Sequence, residues 1–523
     1  MLKFRGHALN LAQIALVVAP SFVLFGYNQA GVGGLLSLDS WVETFPEIDT
    51  VNTSGAKESH NATIQGLVVA TFVLGAIAGS FSCMYIGDVF GRRKCIFGAA
   101  LCTLIGEILC TSSFHLAQFV VGRSIIGFGI GILSATVPVW QAECSPAANR
   151  GKHVVLDGLF MTFGYTLESW INFGFYQIKS GSGSVSWRAP LGIPIAISLI
   201  PMAAIFLLPE SPRWLLKVSR VEEATATLSA LKDLPIDDST LNAEIEGIRY
   251  ALNEGGPSKI SIREMFSMGE EKLFYRFCLC ILLQFYQQMS GSNLISVYAS
   301  ILFQQKLGMG SEVSRILTGG TLTWKFLSSF VAFFTIDRFG RRALFMFSGV
   351  GMGSCMLALA VGTSFPEDNK SAAIASAFFI FMYNFFVPIG FLGANFLYCA
   401  EVAPVKLRVS MASISTANHW LWNFVVIMAT PVAISSIGWK YFLVFMTISF
   451  CIPLSVYLYF PETMGQSLEQ IDAVFRDHDT PLKIVRASKL MSKGDVQKIL
   501  YDEEKKITSA NQVEHVVEKN HGE

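Results

Sequence analysis

Twelve long apolar runs dominate this chain. A helix needs about 20 apolar residues to cross a bilayer. Since only 15% of the residues are charged, against roughly 25% in soluble domains, so many apolar side chains cannot be hidden in water-soluble cores. The sequence predicts an all-α membrane protein with twelve transmembrane helices. The runs cover 11–37, 63–86, 95–113, 117–141, 153–178, 189–208, 273–303, 312–336, 343–364, 371–400, 409–435 and 439–460.

The first six runs and the last six are related by a tandem duplication. Three charged fragments recur in the same order, at offsets of 249, 258 and 252 residues. These pairs are Gly87–Arg93 with Asp337–Arg342, Glu143–Arg150 with Glu401–Arg408, and Pro209–Ser211 with Pro461–Thr463. Repeats of this kind predict two pseudo-symmetric six-helix bundles, an arrangement typical of membrane transporters.

The charged segments set the domain boundaries. We predict an N-terminal bundle over 1–209, cytoplasmic linker helices over 210–270, a C-terminal bundle over 271–462 and a partly disordered cytoplasmic tail over 463–523. The linker carries charges at helix-compatible spacing, such as Glu222 and Glu223. The absence of a G-x-x-x-x-G-K-[ST] loop argues against a nucleotide-driven pump of that type.

Basic residues in the short loops predict the orientation. They follow the second, fourth, eighth and tenth runs, so alternating helices place them on one side, the cytoplasm, together with both termini. Sequons at Asn52, Asn61 and Asn369 fall in loops assigned to the outside. The basic residues are Arg92, Arg93, Lys94, Arg150, Lys152, Arg338, Arg341, Arg342, Lys406 and Arg408.

Composition argues against several other functions. Equal numbers of acidic and basic residues, 39 of each, give no field that would attract nucleic acid. The ten cysteines fall almost entirely inside apolar runs, without the spacing of metal ligands or a disulfide framework. No constellation suggests an enzyme, a metal or a cofactor.

Six motifs in order resemble the sugar porter family of the major facilitator superfamily over about 20–475. They are GDVFGRR, DRFGRR, Gly122-Arg123, PESPRW, QFYQQMSGSN and PETMG. The segments VPVWQAE, RGKHVVLDG and NHWLWNF resemble fungal permeases for monosaccharides, sugar acids and polyols. The resemblance implies a monomeric plasma-membrane importer of a hexose, pentose or sugar acid that works by alternating access. A polyol permease, or a sugar sensor signalling through its tail, is the alternative.

The seventh run carries four amides, Gln284, Gln287, Gln288 and Asn293. Positions 284, 287, 288 and 291 share one helical face. Amides both donate and accept hydrogen bonds, as a polyhydroxyl ligand requires, although they can also join helices to one another. The resemblance makes Gln287, Gln288 and Asn293 sugar ligands. It adds Lys325, Phe396 (where many porters have tryptophan), His419 (usually asparagine) and Asn423 to the predicted substrate site.

The first run departs from proton-coupled porters, which carry an aspartate after Gly-Tyr. Here Asn28 follows Gly26-Tyr27, so the usual carboxyl beside Arg123 is missing. Either the protein is a uniporter, or its proton site has moved to Asp157, Glu168 or Glu107.

Lys325 lies about 18 Å along a helix from Asp337, near mid-membrane, where an uncompensated lysine costs about 3 kcal/mol. It either pairs with Glu168 or Asp157, or receives the carboxylate of an anionic sugar. A neutral hexose or pentose is the default substrate.

The loop motifs predict a cytoplasmic latch. Arg92 and Arg93 can bond the free carbonyls at helix ends, Asp88 can pair across its half, and Glu143 with Arg150, like Glu401 with Arg408, is spaced for ion pairs with the loop arginines. In the family such pairs hold the outward-facing state. The predicted latch residues are Asp88, Arg92, Arg93, Glu143, Arg150, Glu210, Arg213, Asp337, Arg341, Arg342, Glu401, Arg408 and Glu462.

Overall fold

Twelve long helices form the body of the protein in the computed structural model, which describes residues 4–35, 38–50, 53, 55–145, 150–178, 183–253, 262–366, 369–404, 407–466 and 468–490. The N-terminal six are α1 (Gly6–Ala30), α2 (Ala56–Phe90), α3 (Arg92–Thr111), α4 (Leu116–Cys144), α5 (Arg150–Tyr176) and α6 (Val185–Ala204). The C-terminal six are α7 (Leu273–Met289), α8 (Ser311–Phe339), α9 (Arg341–Gly362), α10 (Lys370–Gly390, continued by Ala394–Val402), α11 (Arg408–Ser436) and α12 (Lys440–Tyr459).

The packing repeats every six helices. Helix α2 packs on α4, α3 on α4 and α6, and α1 on α5. The same pairs recur as α8 with α10, α9 with α10 and α12, and α7 with α11. The two bundles meet where α2 packs on α11 and where α5 packs on α8, and the pseudo-symmetry exchanges these two contacts. The fold is therefore two similar bundles around a shared central seam.

Glycines bring helix backbones together within the N-terminal bundle. A Cβ at Gly127 of α4 would lie 1.9 Å from the carbonyl oxygen of Phe72 on α2. A Cβ at Gly79 of α2 would lie 2.1 Å from the carbonyl oxygen of Phe128. In a bilayer the hydrophobic effect does not drive helices together, because lipid tails are as apolar as the side chains. Small residues instead allow the close backbone packing that stabilises helix pairs. Substitution at either position would force α2 and α4 apart.

Eight helices of the described chain are long and apolar enough to cross a membrane: α1, α2, α3, α4, α6, α9, α10 and α12. The outer surface carries large exposed apolar side chains, including Phe378 and Leu454, which are 58% and 63% exposed. The other four long helices, α5, α7, α8 and α11, are shorter or more polar. They carry most of the predicted substrate and proton-site residues and pack at the seam. The polar side chains of these helices therefore lie in the interior of the protein.

Two helices break where the sequence reads as continuous runs. Helix α7 ends at Met289, and a short helix, Ser292–Val297, begins after Gly291, whose φ of +96° suits glycine. The sequence predicted that position 291 shares a helical face with 284, 287 and 288. Because the helix ends before it, that prediction is wrong for position 291. Helix α10 is interrupted in the same way before Ala394, at Gly393 with φ +84°.

Short helices complete the chain. Asp39–Thr44 lies between α1 and α2, and Pro212–Lys217, Val221–Lys232 and Ser239–Asn253 lie between the bundles. These three pack through a small apolar core that includes Trp214, Leu228 and Ile245. In the tail, Leu468–Asp477 and Pro481–Leu490 are helical; 491–523, predicted to be disordered, lies outside the described residues.

Candidate functional site

Amide side chains gather in the seam around the break in α7. The Nδ2 group of Asn293 donates to Gln288 Oε1 at 2.6 Å and to Asn423 Oδ1 at 2.8 Å. Gln284, Gln287, Gln288, Asn293 and Asn423 are all at most 5% exposed. The helix break makes this arrangement possible, because it turns Asn293 back toward the glutamines of the preceding helix.

His419 of α11 ties the glutamines together. Its Nδ1 lies 2.8 Å from Gln287 Oε1 and 3.1 Å from Gln284 Oε1, and its Nε2 lies 2.9 Å from Gln288 Nε2. A ring with the proton on Nδ1 satisfies these contacts, since the amide oxygens accept and Nε2 accepts from the amide N–H. His419 thus acts as donor and acceptor at once.

Two site residues were missed by sequence reasoning. Asn395, just after the break in α10, donates to Gln284 Oε1 at 2.8 Å and to Gln287 Oε1 at 2.5 Å. Gln29 of α1 donates to Asn293 Oδ1 at 3.4 Å, across the two bundles. A signal was present for both, because each is an amide inside an apolar run. The sequence-based prediction included their neighbours, Asn28 and Phe396, but not these two residues.

Aromatic rings enclose the amide cluster. Phe396 lies 5.5 Å from the His419 ring, and Phe25 of the other bundle lies 6.3 Å from it. Trp420 packs 4.9 Å from Phe25 and donates through Nε1 to Ser134 Oγ at 3.3 Å. Walls of this kind pack on the apolar faces of a sugar ring, while the amides serve its hydroxyls.

Lys325 of α8 is 1% exposed. Its Nζ donates to Ser296 Oγ at 2.7 Å and lies 5.3 Å from the centre of the Tyr165 ring. The ion pairs predicted with Glu168 or Asp157 are not formed in the described structure. Glu168 accepts a hydrogen bond from Asn172, one turn further along α5, and both carboxyl oxygens of Asp157 lack a hydrogen-bond partner among the described residues.

Asn28 links a buried arginine to a buried acid. Arg123 donates through Nη1 to the Asn28 carbonyl oxygen at 3.0 Å and lies over the Phe72 ring. Asn28 Nδ2 donates to Glu107 Oε1 at 3.1 Å, and Ser198 Oγ donates to Oε2 at 2.7 Å. Of the three acids predicted as a moved proton site, Glu107 is the one that contacts Asn28.

The predicted latch acids and arginines form two matching clusters, one in each bundle. In the N-terminal bundle, Arg92 Nε lies 3.1 Å from Glu143 Oε2, and Ser211 Oγ donates to the same carboxylate at 2.6 Å. Arg213 donates to the Glu143 carbonyl oxygen at 3.1 Å. Glu210 caps α3 by accepting from the backbone N–H groups of Arg92 and Arg93. Burial raises the pKa of the Glu210 carboxyl above its ordinary value, although these N–H donors oppose the shift.

The C-terminal bundle repeats the pattern. Arg341 Nη2 lies 2.9 Å from Glu401 Oε1, and Thr463 Oγ1 donates to Glu401 at 2.7 Å. Glu462 caps α9 by accepting from the backbone N–H groups of Arg341 and Arg342.

The remaining latch arginines and acids act locally. Arg93 and Arg342 donate to carbonyl oxygens of Phe206 and Tyr457, near the ends of α6 and α12. Asp337 pairs with Arg341 at 2.9 Å, whereas Asp88 pairs with Lys217 of a linker helix at 2.8 Å and with Arg92 at 3.7 Å. The Arg150 side chain and Lys406 lie outside the described residues.

Among the described residues, a charged contact joins the two bundles on the side of these clusters (the latch side). Arg408 Nη1 lies 3.9 Å from Glu143 Oε1, and both side chains are essentially buried. Around it, Cys83, Val139, Val409 and neighbouring small residues form an apolar contact between α2, α4 and α11. This side of the seam is therefore closed.

The opposite side is closed as well. Arg315 of α8 donates to the Gly34 carbonyl oxygen at 3.0 Å, and Gln177 donates to Glu312 at 3.2 Å. Tyr298 donates to the Ile427 carbonyl oxygen at 2.9 Å within its own bundle. The amide cluster is consequently sealed from both sides, and its members bond to one another.

The comparisons with known proteins agree with this architecture. The family model described as "Sugar (and other) transporter" matches residues 14–475. The chain belongs to this family. It is 33% identical over 469 residues to the sugar transporter STL1 of Saccharomyces cerevisiae, covering 88% of this chain and 80% of that protein. It is also 28% identical over 494 residues to the low-affinity glucose transporter HXT1 of the same yeast, covering 92% and 84%.

Solved structures show the fold of this transporter. A structure of the major facilitator proton:xylose symporter XylE bound to 6-bromo-6-deoxy-D-glucose superposes with a TM-score of 0.78 at 23% identity, over 89% of this chain and 99% of that one. An inward-open structure of XylE from E. coli gives 0.64. The twelve-helix fold predicted from the sequence is confirmed, and the family is one of membrane transporters, not enzymes.

Proposed function

We propose that this transporter imports a monosaccharide or a sugar acid across the plasma membrane by alternating access, with both termini in the cytoplasm. The observation that carries the proposal is the sealed cluster of Gln287, Gln288, Asn293 and His419 between the two bundles. The related yeast proteins, which are named for sugar or glucose transport, support the same substrate class.

The chemistry of the cluster suits a polyhydroxyl ligand. Each hydrogen bond between two of these amides pairs an N–H donor with an oxygen acceptor. A sugar hydroxyl can accept from the donor and donate to the acceptor, so it can take the place of either partner. Most of the amide groups hydrogen-bond to one another, but Asn395 Oδ1 and Asn423 Nδ2 have no partner among the described residues. A sugar hydroxyl would therefore replace some of the present hydrogen bonds and supply partners for these two atoms.

We further propose that the carrier takes up a proton with its substrate, and that Glu107 holds it. Asn28 occupies the place where coupled porters have an acid, and it hydrogen-bonds to Glu107 and, through its carbonyl oxygen, to Arg123. The acid is thus moved from α1 to α3 while its contact with the α4 arginine is kept through Asn28. The solved structures of similar fold include a proton:xylose symporter.

Uptake by the purified protein in proteoliposomes tests the function. One labelled hexose is competed with other hexoses, pentoses, uronates and polyols, and saturable uptake with competition by at least one sugar class is expected. Gln288→Ala should abolish that uptake, whereas Gln118→Ala, an amide at the outer end of α4 that bonds Leu109, should leave it unchanged. Binding without flux would instead identify a sensor, and normal uptake by Gln288→Ala would remove α7 from the site.

A further inference from the structure

Among the residues that the structure describes, Lys325 is a buried amine without an acidic partner. The side chain is 1% exposed, and in the part of the chain that the structure describes its contacts are the Ser296 hydroxyl and the face of the Tyr165 ring. A hydroxyl and an aromatic ring stabilise an ammonium group but do not neutralise it. Ionisable groups inside a membrane protein normally pair with one another or mark the path of a substrate or ion.

The position of Lys325 connects it to the amide cluster. Ser296 lies three residues after Asn293 on the helix Ser292–Val297, so the two side chains share a helical face. Asn293 in turn bonds Gln288 and Asn423. Tyr165 comes from α5, so the ammonium group sits in the seam between the bundles. A ligand held by the amides therefore has a cation at its edge.

The acids that might neutralise Lys325 are engaged or distant. On α5, Glu168 accepts from Asn172. Neighbouring cross-bundle contacts pair Thr166 with the Leu322 carbonyl oxygen and Thr162 with Ser329, so Asp157 lies more than one turn further toward the cytoplasm than the level of Lys325. Two ammonium N–H donors remain beyond the one used by Ser296.

We propose that Lys325 receives the carboxylate of the transported compound, and that the preferred substrate is therefore a monosaccharide acid such as a uronate. This inference rests on the proposed function and narrows its substrate class. One ammonium suits a singly charged carboxylate, whereas phosphate groups favour arginine forks or several cations. The nearby arginines are used elsewhere: Arg123 bonds the Asn28 carbonyl oxygen, and Arg315 bonds the Gly34 carbonyl oxygen.

Matched pairs of ligands test the charge directly. Glucuronate and glucose, like galacturonate and galactose, differ in having a carboxylate or a hydroxymethyl group at one carbon. Affinity is measured on the purified full-length protein by competition against one labelled sugar. In the wild-type protein the acid should bind about tenfold or more tightly than its neutral partner, the ratio given by one charge-assisted hydrogen bond.

Three variants separate binding of the carboxylate from a structural role. Lys325→Met should weaken acid binding about tenfold or more and leave neutral sugars within about threefold, which also shows that the variant is folded. Lys325→Arg should keep the preference for acids. Ser296→Ala, which removes the present hydroxyl partner but not the charge, should also keep it.

Several results would overturn the inference. These are equal wild-type affinity for the acid and its neutral partner, equal loss of both in Lys325→Met, and competition by acetate as strong as that by glucuronate, which would show a general anion site. The proposed function fails differently: no sugar, neutral or acidic, would then give saturable flux. Neutral-sugar flux without a preference for acids would leave the transporter intact and refute the role of Lys325 alone.

Discussion

Removing the charge of Arg408 should open the latch side of the transporter. Arg408 Nη1 lies 3.9 Å from Glu143 Oε1 across the bundle interface. At an effective dielectric constant of about 20, two unit charges at that distance attract by about 4 kcal/mol. Desolvation of the two buried groups offsets part of this attraction. Since 3.9 Å is too long for a hydrogen bond, we take a net contribution at the low end of the coupling energies of close charge pairs, about 1.5–3 kcal/mol.

The contact stabilises only the state in which the latch side is closed. Glu143 keeps its bond to Arg92 within its own bundle, so it remains paired when the bundles separate. Arg408→Gln should therefore shift the equilibrium toward the inward-open state by about ten- to a hundredfold. Transport should become asymmetric, since outward-facing binding must first overcome this bias.

Distances between spin labels measure the shift. Phe90 and Phe339 end α2 and α8 on the latch side, one in each bundle, and are 51% and 58% exposed. Cysteines at these two positions, in a background lacking the accessible Cys102, Cys278 and Cys451, accept the labels. A longer-distance population should grow in Arg408→Gln.

Lys217→Ala is the matched control. Its ion pair with Asp88 is partly exposed and lies within one half of the latch, so its loss should cost less than about 1 kcal/mol and leave the distance distribution unchanged. An unchanged distribution in Arg408→Gln, or an equal shift in both variants, would refute the view that the cross-bundle contact sets the resting state.

Three further predictions address the interior. Glu107→Gln should abolish the substrate-induced alkalinisation of a weakly buffered medium while counterflow of labelled sugar persists; alkalinisation that survives would exclude Glu107 as the proton carrier. His419→Asn should change the KM for the preferred sugar about fivefold, the value of one lost hydrogen bond, and an unchanged KM across the sugar panel would place the ring outside the site. Gly291→Ala should lower the melting temperature in detergent, because its φ of +96° is strained for alanine and its Cβ would lie 2.5 Å from Met356 Cε; an unaltered melting temperature would contradict the strain.

The fold follows from the sequence because apolar length and repetition are local signals. Runs of about 20 apolar residues can only be spanning helices, and the echo of Gly87–Arg93 in Asp337–Arg342 gives the two bundles. Most helix bounds differ from the prediction by a few residues, but α7 ends at Met289, where the sequence predicted a continuous run over 273–303. Glycine signals flexibility in a sequence, but whether a helix bends or stops there depends on what lies opposite, here Met356 and Phe445.

The hydrogen-bond and ion-pair partners of the site residues could not be predicted from such local sequence signals. That Arg408 reaches Glu143 depends on how the bundles meet, which no spacing within one bundle encodes. The prediction that Lys325 pairs with Glu168 or Asp157 used the demand of a buried charge for a counter-ion. The sequence did not indicate that Asn172, one turn from Glu168, donates a hydrogen bond to the Glu168 carboxyl group.

The closed seam explains how one network can serve both stability and transport. With both sides closed, His419, Asn395 and Asn293 hydrogen-bond to the glutamines of α7 and hold them in place. These side chains are buried from solvent. Opening either side must break the contacts that belong to it alone, Arg408 with Glu143 inside or Arg315 with Gly34 outside. A sugar that replaces internal amide bonds with its own hydroxyls makes the closed state as favourable with cargo as without it, which is what lets the carrier return empty and cross loaded. In the proposed mechanism, coupling depends on two further ionisable groups. They are Glu107, which Asn28 connects to Arg123, and Lys325, for which we propose a carboxylate substrate as the counter-ion.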